Sequence, residues 1–280
     1  MKAIAPLKTL LETKRGKPLP LPPALARLYG TLRMPLPSGR PYVFSNFVTS
    51  LDGVVSLNIK GHESGGDISG FSATDRMVMG LLRATADAVV IGSGTFLADR
   101  NHVWTAEAIF PKLGKEYRRL AAAIGRRNPP LNVIVTGSGN LDLRLPVFKS
   151  RKVQTVVFTT AAGEKRLRKQ RASESVDIRA IRDRAGTIKA RTILDEVFRI
   201  APCKRVLVEG GPRLVGDFYA ERLMDEQFLT LSPQIVGHEM EDRKISLIMG
   251  RSFAPRDPLW GTVIDARHGG DLLFLRYSFR

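Results

Sequence analysis

The stretch Arg205–Met224, RVLVEGGPRLVGDFYAERLM, decides the reading of this chain. Val206-Leu207-Val208 is a short apolar run of the kind that forms a buried strand. Glu209-Gly210-Gly211 breaks it, and Pro212 opens a helix at the position where a missing N–H costs nothing. Leu214/Val215 and Phe218/Tyr219 then recur at helical spacing, so one face of this helix packs back onto a sheet. The glycines let the backbone approach a ligand, and the helix N-terminus offers free N–H groups and the positive end of its dipole, the arrangement that holds a phosphate. Glu209 places a carboxylate at the mouth of that anion site.

Outward from this unit, strand and helix patterns alternate. Tyr42–Thr49 reads as a strand running into the turn Ser50-Leu51-Asp52-Gly53, with Val54–Leu57 returning as a second strand. The glycine-rich segment 58–70 reads as a long binding loop, after which Ser72-Ala73-Thr74-Asp75 caps a helix that turns Met77, Val78, Leu81 and Leu82 inward. Ala88–Ile91 is a buried strand ending in Gly92-Ser93-Gly94-Thr95. As a dinucleotide fingerprint it fails, because Leu97 occupies the third glycine position. Leu131–Val135 ends in Thr136-Gly137-Ser138-Gly139, a third glycine turn at a strand end. Further on come a strand at Thr155–Phe158, a helix at Gly163–Arg171, a strand at Val176–Ile181 and a helix at Thr187–Ile200 with Ile193, Leu194, Val197 and Phe198 inward. Closing strands fall at Gln227–Leu231, Trp260–Ala266 and Leu272–Phe279, the last as an antiparallel edge. The fold class is therefore α/β, a single domain with a mixed sheet. Residues 1–40 form a proline-rich arm with a short helix at Pro22–Tyr29, packed on the main body or on a partner subunit; residues 41–280 form the domain.

Composition excludes several classes. The 280 residues are 43% apolar and 25% charged, ordinary for a soluble globular chain. No apolar run approaches the ~20 residues that cross a bilayer, and no secretory leader is visible, so the expected location is cytoplasmic. The single cysteine, Cys203, rules out an intrachain disulfide and a multi-cysteine metal site; it reads as core. Four scattered histidines lack ligand spacing, so no metal is expected. There is no GxSxG elbow and no P-loop. The net charge of +17 calls for an anionic partner: a phosphorylated metabolite, a dinucleotide or nucleic acid. Its densest clusters, Arg118/Arg119 with Arg126/Arg127 and Lys165–Arg171, read as solvated helix faces, and no nucleic-acid-binding signature accompanies them.

The three glycine turns (92–94, 137–139 and 210–211) follow strands, and the carboxyl ends of such strands form a ligand crevice. Together they point to an extended phosphate-bearing ligand. Asp52, Asp99 and Glu209 follow strands too and bring carboxylates to the same crevice, the groups acid–base chemistry needs.

These segments carry a resemblance. SLDG at 50–53, LLRA at 81–84, GSGTFLAD at 92–99, LNVIVTGSGNLD at 131–142, VLVEGGPRLVGDF at 206–218 and LSPQIVG at 231–237 stand in the order found in one family. Over roughly residues 40–280 the chain resembles the pyrimidine reductase domain of riboflavin biosynthesis, without the deaminase domain often fused to it. The resemblance implies a dihydrofolate-reductase-like fold, a mixed and mostly parallel sheet flanked by helices. It implies NADPH-dependent reduction of a ribosylamino-pyrimidinone, as its phosphate, to the ribitylamino form, with C1′ of the sugar accepting hydride from nicotinamide C4, and a homodimer. By motif, Thr95, Asp99, Ser138 and the run Gly211, Pro212, Arg213, Leu214, Val215, Gly216, Asp217 contact NADPH. Asp67, Arg83, Val103 and Glu209 face the substrate. Asp52 and Glu209 are the catalytic candidates, Asp52 for proton handling. The chain departs from the family after Asp99: the basic residue expected to grip the ribose phosphate falls on Ala106, leaving Arg100 or His102 as substitutes. Rival readings are a reductase of another pterin or folate-like compound on the same fold, and a nucleotide- or nucleic-acid-binding protein that kept the fold without the chemistry.

Overall fold

The strand Arg205–Val208 sits at the centre of a ten-stranded sheet, and its alternation distributes the core to both faces. Leu207 points into one apolar cluster with Phe44, Ile91, Ile134 and Phe228, while Val206 and Val208 point into the other with Val90, Val133 and Phe158. Strands buried on both faces read as continuous apolar runs, as this one does. The structure, a computed structural model, describes residues 4–35, 39–126, 129–181, 188–239 and 244–279.

In chain order the arm contributes β1 (Lys8–Glu12), β2 (Lys17–Pro18), α1 (Pro23–Tyr29) and β3 (Arg33–Met34). The domain continues with β4 (Tyr42–Thr49), β5 (Val54–Ser56), α2 (Gly65–Ser69), α3 (Ala73–Thr85), β6 (Ala88–Gly92), α4 (Ser93–Ala98), α5 (Ala106–Ile109) and α6 (Gly114–Ala123). Then follow β7 (Leu131–Thr136), α7 (Pro146–Lys149), β8 (Thr155–Thr159), α8 (Ala161–Arg168), β9 (Asp177–Ala180) and α9 (Ala190–Ile200). The last elements are β10 (Arg205–Val208), α10 (Pro212–Ala220), β11 (Glu226–Leu231), β12 (Ile245–Ser246), β13 (Thr262–Gly269) and β14 (Leu272–Ser278).

The sheet order is β1-β13-β14-β11-β4-β10-β6-β7-β8-β9. Pairings from β11 through β9 are parallel; those among β1, β13, β14 and β11 are antiparallel. Helices cover both faces, α1, α3 and α6 with the first cluster and α9 and α10 with the second. The mixed, mostly parallel α/β sheet expected from the sequence is the sheet observed.

The closing strand expected from Trp260 begins at Thr262, the helix expected from Thr187 begins at Ala190, and four further details differ from expectation. The last strand is antiparallel but not an edge: β14 lies between β13 and β11, and the edge is β1 of the arm, whose exposed residues carry no alternation to reveal it. Segment 58–70 contains the helix α2, capped by Ser64 and closed by Gly70 in the left-handed region (φ +59°), so that glycine ends a helix and does not loosen a loop. The helix placed at Gly163–Arg171 runs from Ala161 to Arg168, because the Thr160 hydroxyl accepts from the Gly163 amide and starts it earlier. Phe198 is 53% exposed: α9 buries Ala190, Ile193, Leu194 and Val197, and one further residue rotates off that stripe. Thr187 and Arg127 lie outside the described residues.

Besides the pairing of β1 with β13 and the burial of α1, one side chain ties the arm to the sheet. Arg267 of β13 is fully buried and donates to the carbonyls of Tyr29 (2.5 Å) and Thr31 (2.8 Å), to Thr9 Oγ1 (2.9 Å) and to both Asp265 oxygens (2.9 and 2.8 Å). Its guanidinium also lies 4.4 Å from the Tyr29 ring centre. Arg267→Met leaves Asp265 without its counter-charge and is expected to cost about 3–5 kcal/mol. Urea unfolding measures it, with hydrogen exchange in residues 7–34 rising first; a loss under 1 kcal/mol would contradict this role.

Candidate functional site

Two strand-to-helix turns meet at the carboxyl end of the sheet. The Gly92 amide donates to the Gly210 carbonyl (3.0 Å) and the Glu209 amide to the Val90 carbonyl (3.0 Å), so the pairing of β6 with β10 continues into both turns. The Gly211 amide then donates to Thr95 Oγ1 (2.7 Å), tying α4 to the start of α10. Glycine is required here for contact as well as conformation. A Cβ on Gly210 would lie 2.4 Å from Thr95 Oγ1, and Gly211 has φ +80° with its Cβ position 3.2 Å from the Gly92 Cα.

Beside these turns opens a cleft of about 460 Å³ walled by β4, α2, α3, α4 and the β10 turn. At its floor Arg83, from the last turn of α3, meets Glu209. Nε lies 2.8 and 3.0 Å from the two carboxylate oxygens and Nη2 lies 2.7 Å from Oε2, with both side chains under 5% exposed. Arg83 Nη1 donates to the Thr105 carbonyl (3.2 Å) and to His102 Nε2 (2.5 Å). Arginine has no acceptor, so His102 receives through Nε2 and carries its proton on Nδ1. Burial and the adjacent guanidinium push the His102 imidazolium down to about 3, so the ring is neutral. It meets the Trp104 ring edge-on at 5.2 Å. His102 therefore aims Arg83 and adds no charge. Arg100 and Arg76 line the cleft as cations, Arg76 with its guanidinium 5.6 Å from the Phe71 ring centre. Ala106 is buried at the start of α5.

Asp75, read from sequence only as part of a helix cap, is a further carboxylate of the cleft beside Glu63, Asp99 and Glu209. Ser72 Oγ accepts from the Asp75 amide (3.3 Å), but the Asp75 side chain does not close the box; its Oδ1 accepts from Thr230 Oγ1 of β11 (2.7 Å). It is 5% exposed, and burial pushes its carboxyl up to about 6 against the lowering effect of the Thr230 hydroxyl and Arg76.

Of the residues singled out from sequence, Arg83, Thr95, Asp99, Arg100, His102, Glu209, Gly211 and Pro212 line this one cleft. Asp99 sits at the C-terminus of α4 and not directly after a strand, and partial burial raises its carboxyl. The others lie elsewhere. Asp52 is exposed in its turn and is not part of the cleft wall. Its oxygens accept from Ser50 Oγ (2.5 Å) and from the Val236 (3.2 Å) and Gly237 (2.6 Å) amides, which hold it well below the usual carboxylate range. Asp67 accepts from His62 Nδ1 (2.7 Å) outside the wall, and Val103 packs against the first core cluster while its neighbours His102 and Trp104 face the cleft. Leu214, Val215 and Gly216 are buried, and Asp217 pairs with Arg251 (2.7 Å). Ser138 also lies outside the wall: Gly139 beside it serves the packing of α8, because a Cβ there would lie 2.3 Å from the Gly163 carbonyl oxygen. Sequence reasoning missed Asp75, Asn46 and Trp104. Asp75 alone left a signal, an acidic first-turn residue on the helix that carries Arg83.

The turn geometry fits the diphosphate of a dinucleotide. The first internal α10 bond is Val215 N–H to the Gly211 carbonyl, so the Arg213 and Leu214 amides are unused by the helix, and a Cβ on Gly94 would meet open space. Among the described residues no cluster of histidine, cysteine, aspartate or glutamate could hold a metal ion, and no helix is long and apolar enough to cross a membrane. Cys203 is buried, and burial raises its thiol to about 12, as expected of a core residue.

The RibD C-terminal domain model matches residues 41–247, well over half of the chain. The protein belongs to that family. It is 27% identical over 198 residues to the 2,5-diamino-6-ribosylamino-4(3H)-pyrimidinone 5′-phosphate reductase of Archaeoglobus fulgidus, covering 71% of this chain and 83% of that one. A pyrimidine reductase-like protein of Corynebacterium diphtheriae superposes with a TM-score of 0.65 at 19% identity, over 86% of this chain and 92% of that one. The diaminohydroxyphosphoribosylaminopyrimidine deaminase/5-amino-6-(5-phosphoribosylamino)uracil reductase of Thermotoga maritima superposes with a TM-score of 0.59 at 19% identity, over 86% of this chain. The chain spans 57% of the Thermotoga protein's length. Both likenesses show the shared fold.

The Asp75 environment predicts a pH dependence. Its folded value of about 6 exceeds the ordinary 3.8, so the folded state holds a proton that the unfolded chain has released between those values. The stability this brings is complete below pH 4 and lost as pH rises through 6, by about 3 kcal/mol in total. Relative to wild type, Asp75→Asn should therefore gain stability by about that amount between pH 4 and pH 8 in urea unfolding. A difference that stays flat with pH would contradict the assignment.

Proposed function

We propose that this protein is an NADPH-dependent reductase of the riboflavin pathway, converting a phosphorylated ribosylamino-pyrimidinone to its ribitylamino form. The observation that carries the reading is the junction of the two glycine turns through Thr95 and Gly211, directly above the buried Arg83–Glu209 pair. One feature accounts for dinucleotide binding, the other for a polar heterocycle beside it. When bound, the dinucleotide supplies hydride to the sugar carbon C1′.

The residues of the chain bind and orient. Thr95, Gly211 and Pro212, with the Arg213 and Leu214 amides, hold the diphosphate. The side chains of Leu214, Val215 and Asp217 fix the helix and do not reach the dinucleotide. Glu209 and the aimed Arg83 guanidinium face the pyrimidine, Asp99 takes ribose hydroxyls at the rim, and Arg100 and Arg76 take the phosphate that a cation at position 106 would otherwise hold. Asp52 serves its turn, since a carboxylate held so far down has little capacity as a general acid. The arm, residues 1–40, acts as a strap on the domain 41–280. We further propose a cytoplasmic homodimer; the exposed Leu10 and Leu11 of the edge strand and the exposed Trp260 favour association.

Fluorescence titration with NADPH and NADH, followed by loss of reduced-nicotinamide absorbance with the pyrimidine substrate, tests the reading. Binding that prefers NADPH and a substrate-dependent rate are expected. Glu209→Gln should lower that rate about a hundredfold while NADPH affinity stays within about threefold. Absence of binding by either dinucleotide would overturn the proposal.

A further inference from the structure

The relatives named above act on two pyrimidines that differ at C2: the Archaeoglobus reductase takes a 2-amino pyrimidinone, and the Thermotoga reductase takes a uracil, with oxygen there. Granting the reductase reading, the cleft itself chooses between them. We propose that Asp75 reads the C2 substituent and selects the 2-amino-4-pyrimidinone over the 2,4-dione.

Three observations carry this. Asp75 forms part of the cleft wall although it is 5% exposed, so its remaining accessible surface faces the ligand space. Its carboxylate is only partly satisfied by the protein. Thr230 Oγ1 of β11 donates to Oδ1 (2.7 Å) and the Ser69 hydroxyl of α2 also stabilises the charge, whereas a carboxylate offers about four lone-pair positions. The charged groups around it complete no ion pair among the described residues: Arg76 of α3 turns its guanidinium to Phe71, and Glu209 after β10 is taken by Arg83. A carboxylate in this state has acceptor capacity for N–H donors on whatever fills the cleft.

The two candidate edges differ in what they present. A 2-amino-4-pyrimidinone places N3–H and a 2-NH₂ donor side by side, matching two carboxylate oxygens through a pair of charge-assisted bonds. A uracil presents N3–H flanked by two carbonyls, so its O2 would face carboxylate oxygen across a desolvated contact. A site built to accept from an amino group rejects the analogue that lacks it, on the order of a hundredfold or more. Asparagine at this position reverses the pattern: its carbonyl accepts from N3–H and its amide donates to O2.

The test compares wild type with Asp75→Asn. Calorimetry with the bases 2,5,6-triaminopyrimidin-4-one and 5,6-diaminouracil gives affinities, and kcat/KM for the two ribosylamino phosphates gives the catalytic ratio. Wild type is expected to favour the 2-amino compounds about a hundredfold. Asp75→Asn is expected to collapse or invert that ratio while NADPH affinity is unchanged. The wild-type protein gives a second reading at pH 5, where the protonated carboxyl donates to O2 and the ratio should narrow. A wild-type preference for uracil, or a ratio that survives in Asp75→Asn, overturns the inference and leaves the reductase reading intact. Failure of wild type to bind any dinucleotide or to reduce either substrate overturns both.

Discussion

Arg83 and Glu209 meet nearly buried at the floor of the cleft, and the architecture around them follows from satisfying that pair. Two charges taken from water recover the cost only with near-ideal geometry and further hydrogen bonds. The geometry here comes from elements far apart in the chain. The helix α3 delivers the guanidinium from its last turn, where a cation also suits the helix dipole. The central strand β10 delivers the carboxylate one residue beyond its end. His102 and the Thr105 carbonyl take the remaining guanidinium proton positions on one side. A sheet that shifted by one residue, or a helix that stopped a turn early, would leave a buried charge unpaired. The register of β10 between β4 and β6 is thus coupled to the site.

The same coupling explains how the cleft obtains its two kinds of surface. Where β6 and β10 end together, close backbone contact through Gly92, Gly210 and Gly211 leaves room for an anion against helix amides. One step sideways, side chains of α2, α3 and β4 enclose a pocket whose floor is charged but internally balanced. Among the described residues, the groups without an ion-pair partner include Asp75 on one wall, Asp99 at the end of α4 and the arginines Arg76 and Arg100. That distribution suits a flat heterocycle with donor groups at one end and a phosphate at the other. The chain's large positive charge is consistent with such a ligand, although dense basic clusters such as Lys165, Arg166 and Arg168 lie on a helix away from the cleft.

Much of this was legible in the sequence, and the exceptions have physical causes. Apolar runs such as Ala88–Ile91 and Val206–Val208 announced buried parallel strands, because both of their faces are covered. Glycine turns announced close backbone approach, yet could not say what was approached: at 210–211 it is Thr95 and the cleft, at 139 it is the backbone of α8. Strand β1 was hidden because its five residues are all exposed and show no alternation. Asp52 looked chemical because an acidic residue before glycine after a strand is common to turns and to sites alike; only the amides of Val236 and Gly237, distant in sequence, reveal the turn. His102 looked like a replacement cation, and the neighbouring guanidinium makes it neutral. Asp75 looked like a cap, because the partner that claims its side chain, Thr230, lies on a strand far along the chain.

The account rests on one cleft accommodating dinucleotide and pyrimidine together. A crystal structure of the protein with NADP⁺ and a ribitylamino-pyrimidinone examines that most directly. The diphosphate should lie on the Arg213 and Leu214 amides beside Thr95, with the pyrimidine between the Arg83–Glu209 pair and Asp75. A dinucleotide bound elsewhere, for instance in the separate cavity of about 580 Å³ beside Arg144 and Arg171, would contradict the account. So would a pyrimidine that left Glu209 and Asp75 uncontacted.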